Sequence, residues 1–180
     1  VIFFEHRWLH NIYGDVPKKM FKVEIGKANI VKKGKDITIV SFSEALVQVM
    51  RIYIILKQNS INAEIIDLRS LKPLDIKTII TSVKKTGKLL VVDNGWLNFG
   101  ISAEIISGVT EKLFKKIKIA PKRIGIKNVS IPSTRELAKY CYLNSNEILK
   151  SILEMTEKKI DLNQRVNFLK SINLNQSDVP

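Results

Sequence analysis

Residues 36–93 read DITIVSFSEALVQVMRIYIILKQNSINAEIIDLRSLKPLDIKTIITSVKKTGKLLVVD. Three short runs rich in Ile, Val and Leu, at Asp36–Ser41, Ala63–Leu68 and Lys88–Asp93, alternate with two stretches of helical periodicity. In the first stretch Ala45, Leu46, Val49, Ile52, Tyr53 and Leu56 recur at three- and four-residue spacing, with Ser43 expected as the cap and Asn59-Ser60 as the break. In the second, Asp75 is expected to cap a helix with Ile76, Ile79, Ile80 and Val83 on its buried stripe and Gly87 as its stop. Strand-length runs alternating with amphipathic helices are the pattern of βαβ units and a mainly parallel sheet. The Lys88–Asp93 run is almost continuously apolar, as a strand covered on both faces must be.

Downstream, Asn94-Gly95 is expected to turn the chain into a helix from about Ile101 to Lys116. Lys122–Ile126 reads as the last sheet strand. Ser133 or Thr134 is expected to cap a short helix, and Ser145 another whose stripe of Ile148, Leu149, Ile152 and Leu153 ends near Met155. Upstream, residues 27–33 are expected to add an edge strand. Residues 1–26 read as a closing strand and a linker containing Gly14 and Pro17, with the apolar run Val1–Phe4 suggesting a chain entered in mid-strand. Residues 156–180 are polar and Asn-rich and are expected to form a loosely docked tail.

A length of 180 residues with 45% apolar composition suits one domain with its own core. No run approaches the roughly 20 apolar residues that span a bilayer, so no membrane partner is expected. Cys141 is the one cysteine, which excludes an internal disulfide or a cysteine metal cluster and suits a reducing cytoplasm. The net charge of +13 arises from lysines scattered among Ile and Asn, with no basic stretch interleaved with aromatics, so nucleic acid is not an expected partner. No phosphate loop ending in Gly-Lys-Ser/Thr occurs.

The segments Ile37–Ser43, Ala63–Asp75 and Ser82–Val92 closely resemble the beta subunit of the pyruvate and branched-chain 2-oxoacid dehydrogenases. The resemblance continues through Asp93-Asn94-Gly95-Trp96, Ala103-Glu104-Ile105, Pro121-Lys122-Arg123-Ile124 and Ile131-Pro132, and covers roughly residues 1–155. It implies a three-layer α/β/α domain at residues 27–155, like the last domain of transketolase, with a mostly parallel sheet and one antiparallel edge strand. Residues 1–26, beginning Val1-Ile2-Phe3-Phe4-Glu5-His6-Arg7, then resemble the end of the preceding pyrimidine-binding domain and its linker. The resemblance also implies thiamine diphosphate and magnesium in the full enzyme, held by two other domains, so no catalytic, cofactor-binding or metal-binding residue is expected in this chain. The implied partners are an alpha subunit, a second beta subunit and a lipoyl acyltransferase core. The same domain in a transketolase or a deoxyxylulose-phosphate synthase, or a stand-alone interaction module, are the alternatives.

Against that background the chemistry-bearing residues read as follows. Glu5, His6 and His10 form the one cluster with acid-base potential and are expected to be charged ends of a boundary segment. Gly95 and Gly100 flank a loop before a helix where backbone N–H groups could hold an anion, but Phe99 replaces a glycine that the resembled family often carries there, which weakens that reading. Trp96, Leu97 and Phe99 put large apolar groups at the carboxyl end of a strand and are interface candidates, as are Tyr140 and Tyr142. Cys141 between those tyrosines is expected to be inert, and Asp67 and Arg69 to pair locally.

Overall fold

The computed structural model describes residue 2 and residues 4–160. Its five strands are β1 (Asn29–Lys32), β2 (Ile37–Ser41), β3 (Ala63–Asp67), β4 (Leu89–Trp96) and β5 (Lys122–Ile126). The helices are α1 (Ser43–Gln58), α2 (Ile76–Thr86), α3 (Ile101–Leu113), α4 (Arg135–Ala138) and α5 (Ser145–Thr156). The strands lie in the order β1-β3-β2-β4-β5, with β1 antiparallel to β3 and the other pairs parallel. The expected mixed sheet with one antiparallel edge is therefore present.

Strand periodicity explains the two cores. Ile37, Ile39, Ala63, Ile65, Leu90 and Val92 point to the α1 and α5 side, while Val40, Ile66, Leu89 and Val91 point to the α2 and α3 side. Because both faces are covered, alternate residues that one-sided strands would leave polar must be apolar too. Two exceptions sit side by side, since Thr38 of β2 is the register partner of Glu64 of β3, and both face α2. The Thr38 hydroxyl meets Ser82 and Thr86 hydroxyls at 2.7 Å each, and Glu64 binds the Lys85 ammonium and the Gly34 N–H. These polar groups are satisfied, so burying them costs little.

Capping follows local chemistry, with two corrections. The Asp75 carboxylate accepts the Thr78 N–H at 3.2 Å, and Gly87 closes α2 at φ +72°, a left-handed conformation in which glycine meets no Cβ penalty. Ser43 is not the cap of α1: it is the first residue of the helix, with a left-handed φ of +55°, and the cap position falls to Phe42, which has no side-chain acceptor. Ser145 is not the cap of α5 either. Asn144 fills that role by accepting the Asn146 N–H, which frees the buried Ser145 hydroxyl to donate to Gln48.

Asn94-Gly95 does not turn the chain. The β4–β5 register shifts after Val92 and resumes at Trp96 opposite Ile126, because the Asp93 side chain takes the Gly95 N–H and the strand bulges instead of ending. The closing strand expected at the start of the chain falls on Val1–Phe4, of which Val1 and Phe3 lie outside the described residues. Residues 4–26 contain a single 3₁₀ turn, Arg7–Asn11, where the His6 ring accepts the Trp8 N–H and the His6 carbonyl accepts the Leu9 N–H. The tail from residue 161 onward lies outside the described residues as well.

Candidate functional site

The connections out of β2 and β4 run in opposite directions, so the carboxyl ends of these adjacent strands form the switch point where open α/β sheets bind ligands. The side chains there bind one another. Glu44, in the first turn of α1, accepts hydrogen bonds from Gln48 and from Asn94 at 2.9 Å. Gln48 in turn accepts from Ser145 at 2.7 Å, and Ser41 donates to the Val92 carbonyl at 2.9 Å. The network ties α1, β4 and α5 together and uses up the polar groups that an open crevice would offer a ligand.

Beyond it the bulge in β4 leads into a loop that carries Trp96, Leu97 and Phe99. Three contacts hold this loop. Asp93, 3% exposed, accepts the Gly95 N–H at 2.7 Å. The Leu97 N–H bonds the Ile126 carbonyl at 3.0 Å, and the Arg123 guanidinium bonds the Leu97 carbonyl at 2.6 Å. Gly100 caps α3 where a Cβ would stand 2.2 Å from the Trp96 carbonyl, so glycine alone fits that close approach. Burial raises the Asp93 carboxyl above the usual carboxylate range, and the backbone N–H groups of Gly95 and Ser102 only partly offset it. Its second oxygen, like the Ser102 hydroxyl, is buried without a hydrogen-bond partner.

Phe99 sits at φ +58° with its ring fully exposed, and Trp96 is 54% exposed. Tyr140 is also exposed, whereas Tyr142 is half-buried and packs edge-on against Trp8, with ring centroids 5.0 Å apart. The acid-base cluster spreads out on the surface. His10 pairs with Glu5 at 2.9 Å, both exposed, and His6 caps its own turn. Cys141 stands with its Sγ 4.0 Å from the Leu137 carbonyl, and Arg69 pairs with Asp67 at 3.3 Å.

Two features escaped the sequence reading. Asp93 was legible there only as the end of a strand, because its burial depends on α3 folding over it. A cleft of about 570 Å³ lies between α3 and β5, lined by Ala103, Ile106, Ser107, Thr110, Glu111, Phe114 and Arg123. The three- and four-residue spacing of 103, 106, 110 and 114 was its available signal. Among the described residues no three His, Cys, Asp or Glu side chains stand together to hold a metal ion. No helix among them is long and apolar enough to cross a membrane.

Fold and site together define a three-layer α/β domain that presents an exposed aromatic loop where a crevice would otherwise open. The chain belongs to the family described as transketolase, C-terminal domain, whose profile matches residues 26–148. It is similar to the pyruvate dehydrogenase E1 component subunit beta of Rickettsia bellii (strain RML369-C), 36% identical over 152 residues, covering 84% of this chain and 47% of that protein. The corresponding subunit of Acholeplasma laidlawii is 39% identical over 121 residues, covering 67% of this chain and 37% of the relative. The chain thus spans about half the length of the curated relatives it matches. Among solved structures, a split-gene transketolase described as an inactive beta4 tetramer aligns with a TM-score of 0.63 at 24% identity, covering 78% of this chain and 45% of that one. That likeness concerns the fold.

Proposed function

We propose that residues 27–155 are the carboxy-terminal assembly domain of a 2-oxoacid dehydrogenase beta subunit that works with thiamine diphosphate and magnesium. On this reading residues 1–26 are the end of a pyrimidine-binding domain with its linker, residues 156–180 are a tail, and the protein is cytoplasmic. The full enzyme decarboxylates a 2-oxoacid oxidatively and passes the acyl group to a lipoyl carrier, in company with an alpha subunit, a second beta subunit and a lipoyl acyltransferase core.

The observation that carries the reading is the run of similarity to pyruvate dehydrogenase beta subunits, at 34–39% identity over 67–84% of this chain. The site chemistry supports assigning this part of the chain to assembly. A magnesium-diphosphate group needs clustered carboxylates and free backbone donors, but the Asp93 carboxyl sits under the first turn of α3 and Phe99 projects from the loop. The described residues do not fit that group. What they do present is exposed apolar side chains at Trp96, Phe99 and Tyr140 and half-buried ones at Leu97 and Tyr142, the composition of interface anchors.

The test is to express the full-length protein with its alpha subunit and measure 2-oxoacid-dependent reduction of an artificial electron acceptor with added thiamine diphosphate and magnesium. Turnover of pyruvate or a branched-chain 2-oxoacid is expected, and turnover of sugar phosphates alone would move the assignment to the transketolases. Calorimetry on residues 1–180 is expected to give no heat of thiamine diphosphate binding; tight binding would overturn the assembly role.

A further inference from the structure

Lysines that lie scattered in the sequence gather on one edge of the fold. Strands β2 to β5 run in one direction and α1, α2, α3 and α5 run back, so these helices end where the parallel strands begin. Lys57 ends α1, and Lys84 and Lys85 end α2. Lys112 ends α3, followed by Lys115 and Lys116 in the 3₁₀ turn Phe114–Lys116. Lys158 and Lys159 follow α5, with the Lys158 ammonium bonded to the Ser60 carbonyl just past α1. The strand entries add Lys33 and Lys35 before β2, Lys88 before β4, and Lys118 and Lys122 at the start of β5. Thirteen lysines therefore share this edge with five carboxylates, Asp36, Glu64, Glu111, Glu154 and Glu157, a net +8 of the chain's +13.

A lysine in the last turn of a helix meets the negative end of its dipole, which accounts for Lys57, Lys84, Lys85 and Lys112. It does not account for Lys33, Lys35, Lys88, Lys118 or Lys159, which lie outside the helices. Lys85 and Lys122 are paired with Glu64 and Glu154, and the other lysines of the edge form no ion pair among the described residues. The opposite edge mixes signs, with Glu44, Asp67 and Asp93 beside Arg69, Lys72 and Lys77. Like charges crowded on one edge repel one another, and an anionic surface relieves that repulsion.

Shape selects the anion. Five strands about 4.8 Å apart, with a helix layer about 10 Å away on each face, spread the lysines over about 20 Å in both directions. A peptide or a single nucleic-acid strand meets one row of such an array, whereas a plane meets all of it. Lysine is a hydrated point charge, and the edge lacks arginine, whose fork reads individual carboxylates and phosphates. Arg123 enters with β5, but its guanidinium turns away to the Leu97 carbonyl. Phe114 stands exposed among Lys112, Lys115 and Lys116, an aromatic ring of the kind that settles at a headgroup boundary.

We propose that this edge rests on an anionic lipid surface, with the sheet end-on to it. Contact of this kind needs no spanning helix, and none is present among the described residues. Each lysine brought to such a surface strengthens binding by about fivefold.

Co-sedimentation of the 180-residue chain with vesicles tests it. Binding is expected to vesicles of equimolar phosphatidylcholine and phosphatidylserine, not to phosphatidylcholine alone, and is expected to weaken as salt is raised. Lys84→Gln, Lys115→Gln and Lys116→Gln together remove three exposed charges that make no ion pair, and are expected to weaken binding by about a hundredfold. The triple variant Lys72→Gln, Lys77→Gln and Lys127→Gln makes the same change in net charge away from the edge, and is expected to stay within about twofold of wild type. All six side chains are exposed, and urea unfolding checks that both variants fold. Equal losses in the two variants would trace binding to net charge and overturn the edge as a site. Binding to a DNA duplex without binding to the anionic vesicles overturns the lipid assignment in favour of nucleic acid, and binding to neither overturns the proposal outright. The enzymatic assignment, tested by turnover, stands or falls separately.

Discussion

Phe99 pays twice for its position, and replacing it by glycine should move stability and association in opposite directions. Its backbone lies at φ +58° and its ring is fully exposed, so the side chain gains no packing within the chain to offset the conformation. A left-handed conformation costs a residue with a Cβ about 1–2 kcal/mol, and glycine adopts it freely. Glycine also loosens the unfolded chain, which costs about 0.5–1 kcal/mol. The net expectation for Phe99→Gly is a gain of about 0.5–1 kcal/mol, or about 1–4 °C in Tm for a chain of this size. Phe99→Ala removes the ring and keeps the strain, so its stability should stay within about 0.5 kcal/mol of wild type. Urea unfolding of the three proteins at a concentration where the chain is monomeric gives the comparison. Both variants should associate less well, because each lacks the ring. A loss of more than about 1 kcal/mol in either variant would refute the reasoning, since it would mean that the ring packs against its own domain.

Two titrating carboxyls give further expectations. Burial alone would raise Glu64, but hydrogen bonds from Lys85, Ser82 and the Gly34 N–H outweigh it and hold the carboxyl below its ordinary value. Its stabilising contribution is therefore present above the unfolded pKa of about 4.3 and lost as pH falls through the folded value. Glu64→Gln should cost about 1–2 kcal/mol at pH 7, discounted because Lys85 is half exposed, and the gap to wild type should close below about pH 4. A gap that persists unchanged in acid would show that shape, not charge, is what the site requires. Asp93 has the opposite sign: burial raises its pKa, so its contribution is complete below the unfolded pKa of about 3.9 and lost as pH rises through the folded value. Asp93→Asn keeps an acceptor for the Gly95 N–H and removes the buried charge, so at pH 7 it should be at least as stable as wild type, with wild type gaining on it as the solution is acidified. Chemical denaturation at several pH values checks both, and a destabilisation of Asp93→Asn by more than about 1 kcal/mol at pH 7 would contradict the burial-dominated account.

The alternation of apolar runs with amphipathic stretches was enough to place β2, α1, β3, α2 and β4 in order, because burial on both faces forces near-continuous apolar character on a strand and one-sided burial forces a stripe on a helix. Asp75 and Gly87 were legible as caps since both act through their own backbone neighbours. Ser43 and Ser145 were misread for the complementary reason: an adjacent residue held the cap position, and the Ser145 hydroxyl was drawn to Gln48, 97 residues away. The aromatic interface candidates could be picked out by composition, but their separation into exposed Trp96, Phe99 and Tyr140 and a Tyr142 packed on Trp8 depends on which segments meet in space. The same is true of the bulge at Asp93, the hydroxyl cluster of Thr38, Ser82 and Thr86, and the cleft between α3 and β5. Periodicity reports which side of an element is apolar, a property of local spacing that the chain carries in one dimension. Whether that side meets another element, a buried carboxyl or open solvent depends on contacts between distant residues, which exist only once the sheet has assembled and its edge strand has been left uncovered on one face.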